Sequence, residues 1–229
     1  MPIYQGEHLA KESVERVIMT MRKMGREFEL IVVVDGEVDE TKTVLTKLKR
    51  QYPELRILTY AKNKGKGYAV RYGMKLASKA YVGYIDAGHD IDTRSLVEML
   101  TSINDDSDID VWMADKILPM SQVINVPWYR KIYSYVFRHM VSLLFGSRMG
   151  DTQVGLKFFR GSVIKKLLSK NDLVINRFVF DVELLSRLIP SARIAHVPVT
   201  IRRNGEKSSV GICDIWQMAW DVVRVRFAL

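Results

Sequence analysis

The chain has 229 residues, of which 48% are hydrophobic, so it can enclose one sizeable core. Its formal net charge of +9 favours anionic partners such as nucleotides, a membrane surface or nucleic acid, without choosing among them. The single cysteine, Cys213, excludes an intrachain disulfide, and we find neither a spanning apolar stretch nor a signal peptide, so we expect a location in the cytoplasm or peripherally on the cytoplasmic face of a membrane.

The first half of the chain alternates between helical and strand patterns. In chain order we predict a helix at 13–24, a strand at 29–34, a helix at 41–52, a strand at 55–60, a helix at 67–80, a strand at 81–85, a helix at 96–103 and a strand at 109–114. This alternation predicts an α/β fold with a mostly parallel central sheet flanked by helices. Ligands of such sheets bind at the carboxyl ends of the strands, where Asp35, Asn63 and Asp86 fall.

The second half holds strands at 155–159 and 194–201, helices at 181–188 and 214–227, and a long helix at 127–145. We find no linker or repeat, so we expect a single domain spanning 1–229. The segments 127–145 and 214–229 mix aromatic residues with lysine and arginine, which suits either an ordinary helix with its aromatics in the core or a helix lying on a membrane surface. Two such segments in a basic chain favour the membrane surface.

The segment from Asp86 to Asp92 follows a strand and carries three carboxylates. Carboxylates at a strand end suit a hard divalent cation, which can neutralise diphosphate oxygens. The same acids could instead cap the next helix. We expect Asp92 to be the cap and Asp86 to be the ligand.

Glycines and lysines from Asn63 to Gly73 precede a helix, an arrangement that lets backbone amides approach a phosphate. Lys64 and Lys66 could equally be solvated loop charges. Asp35 could be part of a turn, or could accept a hydrogen bond from a base or ribose. His89, His139 and His196 lack metal-ligand spacing, and we interpret them as structural or surface residues.

Six segments, in order, resemble motifs of the inverting GT-A glycosyltransferases that charge polyprenyl phosphates, a group within glycosyltransferase family 2 that includes dolichyl-phosphate glucosyltransferases and mannose synthases. These segments begin at Pro2, Val34, Asn63, Asp86, Asp151 and Phe180. The segment Asp151-Thr-Gln-Val-Gly-Leu-Lys157 is very similar to the family's Asp-Thr-Gln-x-Gly-x-Lys. The resemblance covers nearly the whole chain and implies a GT-A (nucleotide-diphospho-sugar transferase) fold.

The resemblance also implies a function, in which a hexose moves with inversion from a UDP- or GDP-hexose to a polyprenyl phosphate, assisted by Mg²⁺ or Mn²⁺. The implied donor site comprises Glu7, Asp35, Asn63, Lys66 and Arg202, with Asp86 and Asp90 holding the metal. The implied acceptor-phosphate site comprises Lys116 and Arg130, and the implied sugar pocket comprises Asp151 and Gln153. Acids at the strand ends argue against a nucleic-acid partner, because they would repel phosphates without a metal.

Three departures from the family pattern keep alternatives open. The chain starts at Pro2 of the first motif, so the family's first strand is missing; its loss would expose two unpaired backbone ladders, and an incomplete gene start would account for it. Gly88 replaces the middle acid of the metal motif, and Val34 replaces the first acid of the base-binding pair. The alternatives are a GT-A transferase acting on a saccharide hydroxyl and a catalytically impaired nucleotide-sugar-binding relative.

Overall fold

The computed structural model describes residues 1–105, 108–146, 149–170, 172–203 and 212–228. The strands within these ranges are β1 (Pro2–Ile3), β2 (Leu30–Asp35), β3 (Leu55–Tyr60), β4 (Tyr81–Ile85), β5 (Val111–Ala114), β6 (Gln122–Ile124), β7 (Leu156–Arg160), β8 (Ile194–Val197) and β9 (Thr200–Arg202). The helices are α1 (Ala10–Lys23), α2 (Thr41–Lys49), α3 (Lys66–Leu76), α4 (Thr93–Asp105), α5 (Trp128–Phe145), α6 (Gly161–Ser169), α7 (Phe180–Leu188) and α8 (Ile212–Ala228).

The strands form three groups in the described part of the chain. Strands β1, β2 and β3 pair in that order, all parallel, and every residue of β2 is buried, as its continuous apolar run predicts. A second sheet has the order β4–β7–β5–β8, in which β7 runs antiparallel to both neighbours and β5 and β8 are parallel. Strands β6 and β9 form a parallel pair. The expected mostly parallel α/β architecture is confirmed.

Helices cover both faces of the sheets because each helix buries one apolar stripe. One core cluster packs α1, α2 and α4 against the strands, and the other packs α3 and α5 to α8. This two-layer cover buries the strands and leaves their carboxyl ends facing the loops, where the acidic residues lie.

Four elements differ from the sequence-based expectation. The predicted strand at 194–201 is divided into β8 and β9, and Pro198, which has no N–H to donate to a ladder, stands between them. The predicted helix at 67–80 ends at Leu76, after which Ser78 donates to the carboxylate of Glu29 instead of continuing the helix. Strand β6 and helix α6 were not predicted; α6 starts directly after β7 with no intervening turn to mark it.

At the place where a missing first strand was expected, the structure has the two-residue strand β1, which pairs in parallel with β2. An apolar cavity of about 340 Å³ lies between β2 and β4, lined among others by Ile31, Val33, Val82 and Tyr84. The amino terminus of Met1 lies at this cavity and donates a hydrogen bond of 2.8 Å to the carbonyl of Ile31. Burial lowers the pKa of this ammonium from 8.0 to about 5, although the charge of Asp86 opposes the shift.

Candidate functional site

The carboxylate of Asp35, the last residue of β2, is buried and holds the loop that follows β3. It accepts hydrogen bonds from the Tyr60 hydroxyl (2.8 Å), the Asn63 side-chain amide (3.1 Å) and the backbone N–H groups of Lys64 (2.7 Å) and Gly65 (3.0 Å). A carboxylate has about four acceptor positions, so these donors occupy it fully. The structure therefore brings Asp35 and Asn63 together, as predicted, and shows Asp35 ordering the loop; contact with a nucleobase stays a prediction.

Gly65 makes this loop possible. Its φ of +97° lies in the left-handed region, and a Cβ atom there would stand 2.5 Å from the carbonyl oxygen of Asn176. The loop therefore fixes the position of Lys66, the first residue of α3. Burial and the hydrogen bond to Asp35 together raise the pKa of the Tyr60 hydroxyl well above its usual range, so Tyr60 stays a donor to Asp35.

Lys66 forms an ion pair with Asp86 at the carboxyl end of β4. Its Nζ atom lies 2.8 Å from Oδ2, to which it donates, and 2.7 Å from Oδ1. Oδ1 is buried and accepts no well-aligned hydrogen bond. Burial by itself would lower the pKa of the Lys66 ammonium, but the negative charges of Asp86 and Asp181 outweigh this and raise it. The interpretation of Lys66 as a solvated loop charge is therefore wrong.

The remaining acids of this segment have different surroundings. Asp92 caps α4 by accepting a hydrogen bond from the backbone N–H of Arg94 at 2.9 Å, which confirms its predicted role. The carbonyl of Asp90 accepts a hydrogen bond of 2.8 Å from the backbone N–H of Arg202, so β9 brings Arg202 to the loop that contains Asp86. Residues 204–211, which follow in the predicted donor loop, lie outside the described residues.

The fit of a divalent cation depends on how many ligands the protein offers. In the described residues, no group of three or more His, Cys, Asp or Glu side chains is placed to hold a metal ion. Asp86 nevertheless offers a buried oxygen without a well-aligned donor, and Mg²⁺ is commonly bound through one or two carboxylates plus substrate phosphates and water. The residues fit a cation completed by diphosphate oxygens, with Asp86 as the protein ligand; the role of Asp90 stays a prediction.

A second ion pair joins Lys116 to Asp151. The Lys116 Nζ atom lies 2.8 Å from Oδ2 of the almost completely buried Asp151, and Oδ1 of Asp151 accepts a hydrogen bond of 3.0 Å from the backbone N–H of Gln153. The structure thus brings together three predicted site residues from the loops after β5 and before β7. Arg130 lies in the first turn of α5, and its predicted contact with an acceptor phosphate stays a prediction.

Sequence reasoning gave no role to the buried cation behind this loop, Lys157. Its Nζ atom donates to the carbonyls of Thr152 (2.8 Å) and Val154 (2.7 Å) and to the Tyr84 hydroxyl (3.0 Å), and it lies 3.6 Å from Asp181. Burial lowers the pKa of Lys157 and raises that of Asp181. The signal that could have identified Lys157 is its place at the end of the segment 151–157, which resembles the family's Asp-Thr-Gln-x-Gly-x-Lys.

Another missed pair is Asp115 with His196. The His196 Nδ1 atom lies 2.9 Å from Oδ2 of buried Asp115, and a Cβ atom on Gly150 would stand 2.3 Å from the imidazole. Burial would raise the pKa of Asp115, but hydrogen bonds from His196 and from the backbone N–H of Ile117 lower it overall. The two residues are 81 positions apart, so no local pattern could have linked them.

Glu7 lies beside the start of α2. Its backbone N–H donates to Asp39 at 3.2 Å, and its carboxylate accepts a hydrogen bond of 3.1 Å from the backbone N–H of Glu40. This places Glu7 against the loop that follows β2 and Asp35. A contact between Glu7 and a nucleotide stays a prediction.

Most of the aromatic residues of α5 and α8 are exposed, and these exposed residues are together called here the aromatic face. The helices pack against each other, and their buried side chains, Val141, Val222 and Val225, face the core. The exposed members are Trp128, Tyr129, Tyr133, Tyr135, Trp216, Trp220 and Phe227. Trp128 is 73% exposed and Trp216 is 76% exposed, so placement of these aromatics in the core is wrong. None of the described helices combines the length and apolar character needed to cross a membrane.

The family described as Glycosyl transferase family 2 matches residues 1–168. A dolichyl-phosphate beta-glucosyltransferase of Saccharomyces cerevisiae is 28% identical over 225 residues, which cover 90% of this chain and 66% of the relative. The dodecaprenyl-phosphate galacturonate synthase of Rhizobium johnstonii is 25% identical over 233 residues, covering 99% and 65%. The chain therefore spans just under two thirds of the length of these curated relatives.

Solved structures resemble this fold over almost the whole chain. Glucosyl-3-phosphoglycerate synthase from Mycobacterium tuberculosis, in complex with Mn²⁺ and uridine-diphosphate-glucose, has a TM-score of 0.69 and 15% identity, and the match covers 98% of this chain and 75% of that one. At this level of identity the likeness shows the fold alone, which is GT-A.

Proposed function

Because the chain belongs to glycosyl transferase family 2, we propose that it moves a hexose from a nucleotide-diphosphate sugar to a polyprenyl (dolichyl-type) phosphate with inversion. The observation that carries the proposal is the arrangement at the strand ends, where Lys66 meets Asp86 and Lys116 meets Asp151. One pair offers a carboxylate to a cation–diphosphate, and the other offers an ammonium to an acceptor phosphate. The names of the yeast and Rhizobium relatives support this choice of acceptor.

The donor lies, in this proposal, along the loop ordered by Asp35. Asn63 and the start of α3 receive the nucleotide, and the positive end of the helix favours the phosphates. Glu7 and Asp35 are the proposed contacts for the base, which must exchange with one of the hydrogen bonds that Asp35 already accepts. Arg202, tied through its backbone to Asp90, is the proposed cation for the leaving diphosphate.

Mg²⁺ or Mn²⁺, held by Asp86 with Asp90 as a second candidate, would neutralise charge on the departing nucleoside diphosphate. The solved relative that contains Mn²⁺ with a UDP-sugar supports a divalent cation. The acceptor phosphate is already ionised near neutral pH, so it needs alignment rather than a general base. Lys116 and Arg130 supply that alignment, and Asp151 and Gln153 line the sugar pocket. Attack on C1 from the face opposite the leaving group gives inversion.

The whole chain, 1–229, forms in this proposal a single transferase domain that lies peripherally on the cytoplasmic face of a membrane. The aromatic face supports this location, because Trp and Tyr favour the membrane interface and exposed apolar patches of this kind mark interaction surfaces. Arg130 and Lys131 on α5, and Arg224 and Arg226 on α8, add attraction to anionic lipid head groups. Both segments, 127–145 and 214–229, would rest on the surface without spanning it.

A second candidate function is transfer to a saccharide hydroxyl. That reaction needs a base, and the Asp115–His196 pair beside Gly150 is the observation that favours it. A His196→Phe substitution should abolish hydroxyl transfer but leave transfer to a phosphate largely intact, because an ionised acceptor has no proton to lose.

The deciding experiment incubates the protein with a donor panel of UDP-glucose, UDP-galacturonate and GDP-mannose, Mn²⁺ and a polyprenyl phosphate in vesicles, and identifies the product by mass. A parallel reaction offers free saccharides. Asp86→Asn should lower turnover about a hundredfold or more, because it removes the charge that a cation needs. Asp92→Asn is the matched control: asparagine caps helices equally well, so its turnover should stay within about threefold of wild type. Transfer only to saccharides would overturn the proposed acceptor.

A further inference from the structure

The ion pair with Lys66 occupies the carboxylate of Asp86, the proposed protein ligand of the cation. The single Nζ atom lies within 2.8 Å of both oxygens of Asp86. A divalent cation bound directly to Asp86 would therefore stand at nearly the same place as the ammonium. Two cations at such a distance repel each other strongly, so they cannot share the carboxylate.

Both partners of this pair are held in place by the fold. Lys66 starts α3 directly after Gly65, whose backbone N–H is bound to Asp35. The backbone N–H of Asp86 donates to the carbonyl of Gly155 at 2.9 Å, and the Asp86 carboxylate packs onto the Gly155 α-carbon. Backbone contacts on both sides of the ion pair therefore fix the positions of Lys66 and Asp86 relative to each other.

The charges of the pair decide which ligands can enter. Lys66 and Asp86 together are neutral, so adding a bare divalent cation would leave a net charge of +2 in a partly buried site. Adding the cation together with a nucleoside diphosphate brings two or more negative charges, which compensate the metal and give the displaced ammonium new oxygen partners. Gly88 supplies no side chain that could offset this repulsion.

We propose that Lys66 is a built-in counter-ion of Asp86. It keeps a divalent cation from binding the carboxylate until the cation arrives together with the anionic donor. The inference rests on the proposed function for the identity of that donor. It makes Lys66 a positioning residue that couples metal binding to nucleotide binding. In the alternative, Lys66 replaces the metal permanently, and Asp86 never exchanges it.

The test measures Mn²⁺ binding to the full chain, by the loss of the free Mn²⁺ signal in electron paramagnetic resonance, with and without UDP or GDP. Without nucleotide, wild type should bind Mn²⁺ weakly, and Lys66→Met should bind it about tenfold more tightly or better, since a unit positive charge is gone from the carboxylate. With the nucleotide that binds, the wild-type Mn²⁺ affinity should rise more than that of Lys66→Met. Lys66→Arg, which keeps the charge, should behave as wild type does.

Lys64→Met is the matched control, because it removes the same charge two residues away. The Lys64 ammonium lies over the ring of Tyr68 and donates to its hydroxyl, away from Asp86. Its Mn²⁺ affinity should equal that of wild type. Lys66→Gln is the second variant should Lys66→Met fold poorly, as judged by circular dichroism.

Unchanged Mn²⁺ affinity in the folded Lys66 variants overturns the inference, and so does strong binding of Mn²⁺ by wild type without nucleotide. Binding of nucleotide to wild type with no gain in Mn²⁺ affinity also overturns it and favours permanent replacement of the metal. The assay contains no acceptor and records no transfer. A protein that fails to glycosylate polyprenyl phosphate can still show this coupling, so the two failures are distinguishable.

Discussion

Asp86 and Gly155 lie so close together that a Cβ atom on Gly155 would stand 1.9 Å from Oδ2 of the Asp86 carboxylate. The two residues belong to neighbouring antiparallel segments, where Ile85 pairs with Leu156 one step away. Only a residue without a side chain allows the carboxylate to occupy this place. Gly155 therefore sets the position of Asp86 as directly as the strand β4 does.

Gly155→Ala should displace the Asp86 carboxylate and weaken Mn²⁺ and nucleotide-sugar binding about tenfold or more, while the fold remains, because the clash can be relieved by moving one short side chain. Titration of Mn²⁺ with the donor, together with a thermal melt, measures both effects. Gly73→Ala in α3 is a suitable control, since its Cβ would meet side-chain methyl groups of Val33 at 3.0 Å and of Ile31 at 3.8 Å and no polar group. Equal losses in both variants would contradict the special role of Gly155.

Lys116→Ala and Arg130→Ala should raise the KM for polyprenyl phosphate about tenfold while changing the KM for the nucleotide-sugar little, because a positioned cation contributes mainly to holding the acceptor phosphate. Lys116→Ala carries an added cost, since it leaves the buried Asp151 without its ionic partner at 2.8 Å. Steady-state kinetics with each substrate varied in turn separate the effects. If both KM values rise equally, the acceptor-phosphate assignment is wrong.

Lys157→Met should lower the free energy of unfolding by about 3–5 kcal/mol, because Asp181 would remain buried without its cation and two carbonyls would lose their donor. Urea unfolding at neutral pH measures this. The double variant Lys157→Met/Asp181→Asn should recover part of the loss, since no uncompensated charge remains. A double variant no more stable than Lys157→Met would show that the hydrogen bonds of Lys157, and not its charge, dominate.

The stability of the protein should depend on pH through the amino terminus. The pKa of the Met1 ammonium falls from 8.0 to about 5 on folding, so between these values the unfolded chain binds a proton that the folded chain does not. The free energy of unfolding should therefore rise with pH across this window, by up to about 4 kcal/mol, and this contribution should level off below about pH 5, where both states bind the proton, and above about pH 8, where neither does. Urea unfolding at several pH values measures the slope.

Acetylation of the amino terminus removes the titrating group, so the acetylated protein should lose this part of the pH dependence; an unchanged slope would contradict the assignment to Met1.

Joining about five apolar β-branched residues to Met1 should raise the midpoint of urea unfolding, because they can fill the cavity between β2 and β4 and pair with free strand edges. An extension of the same length made of Gly and Ser should not raise it.

Much of the architecture could be predicted because its signals are local. The apolar run that becomes β2 and the helical spacing in α1 each arise within a few neighbouring residues, and the order of strands and helices follows from them. The same logic placed Asp35, Asn63 and Asp86 at strand ends, and the cap at Asp92 required only a following helix. The amino-acid sequence by itself therefore determined the fold class and the identity of the acidic edge.

The tertiary structure alone decided which charges meet and which aromatics stay exposed. Lys66 and Asp86 are separated by 20 positions, and Asp115 and His196 by 81, so their contacts depend on the packing of α3 beside β4 and on the register of β5 with β8. Whether Trp216 is buried or exposed depends on which side of α8 meets the core, which composition does not specify. Long-range pairing is set by how whole elements pack, and that information is spread over the entire chain.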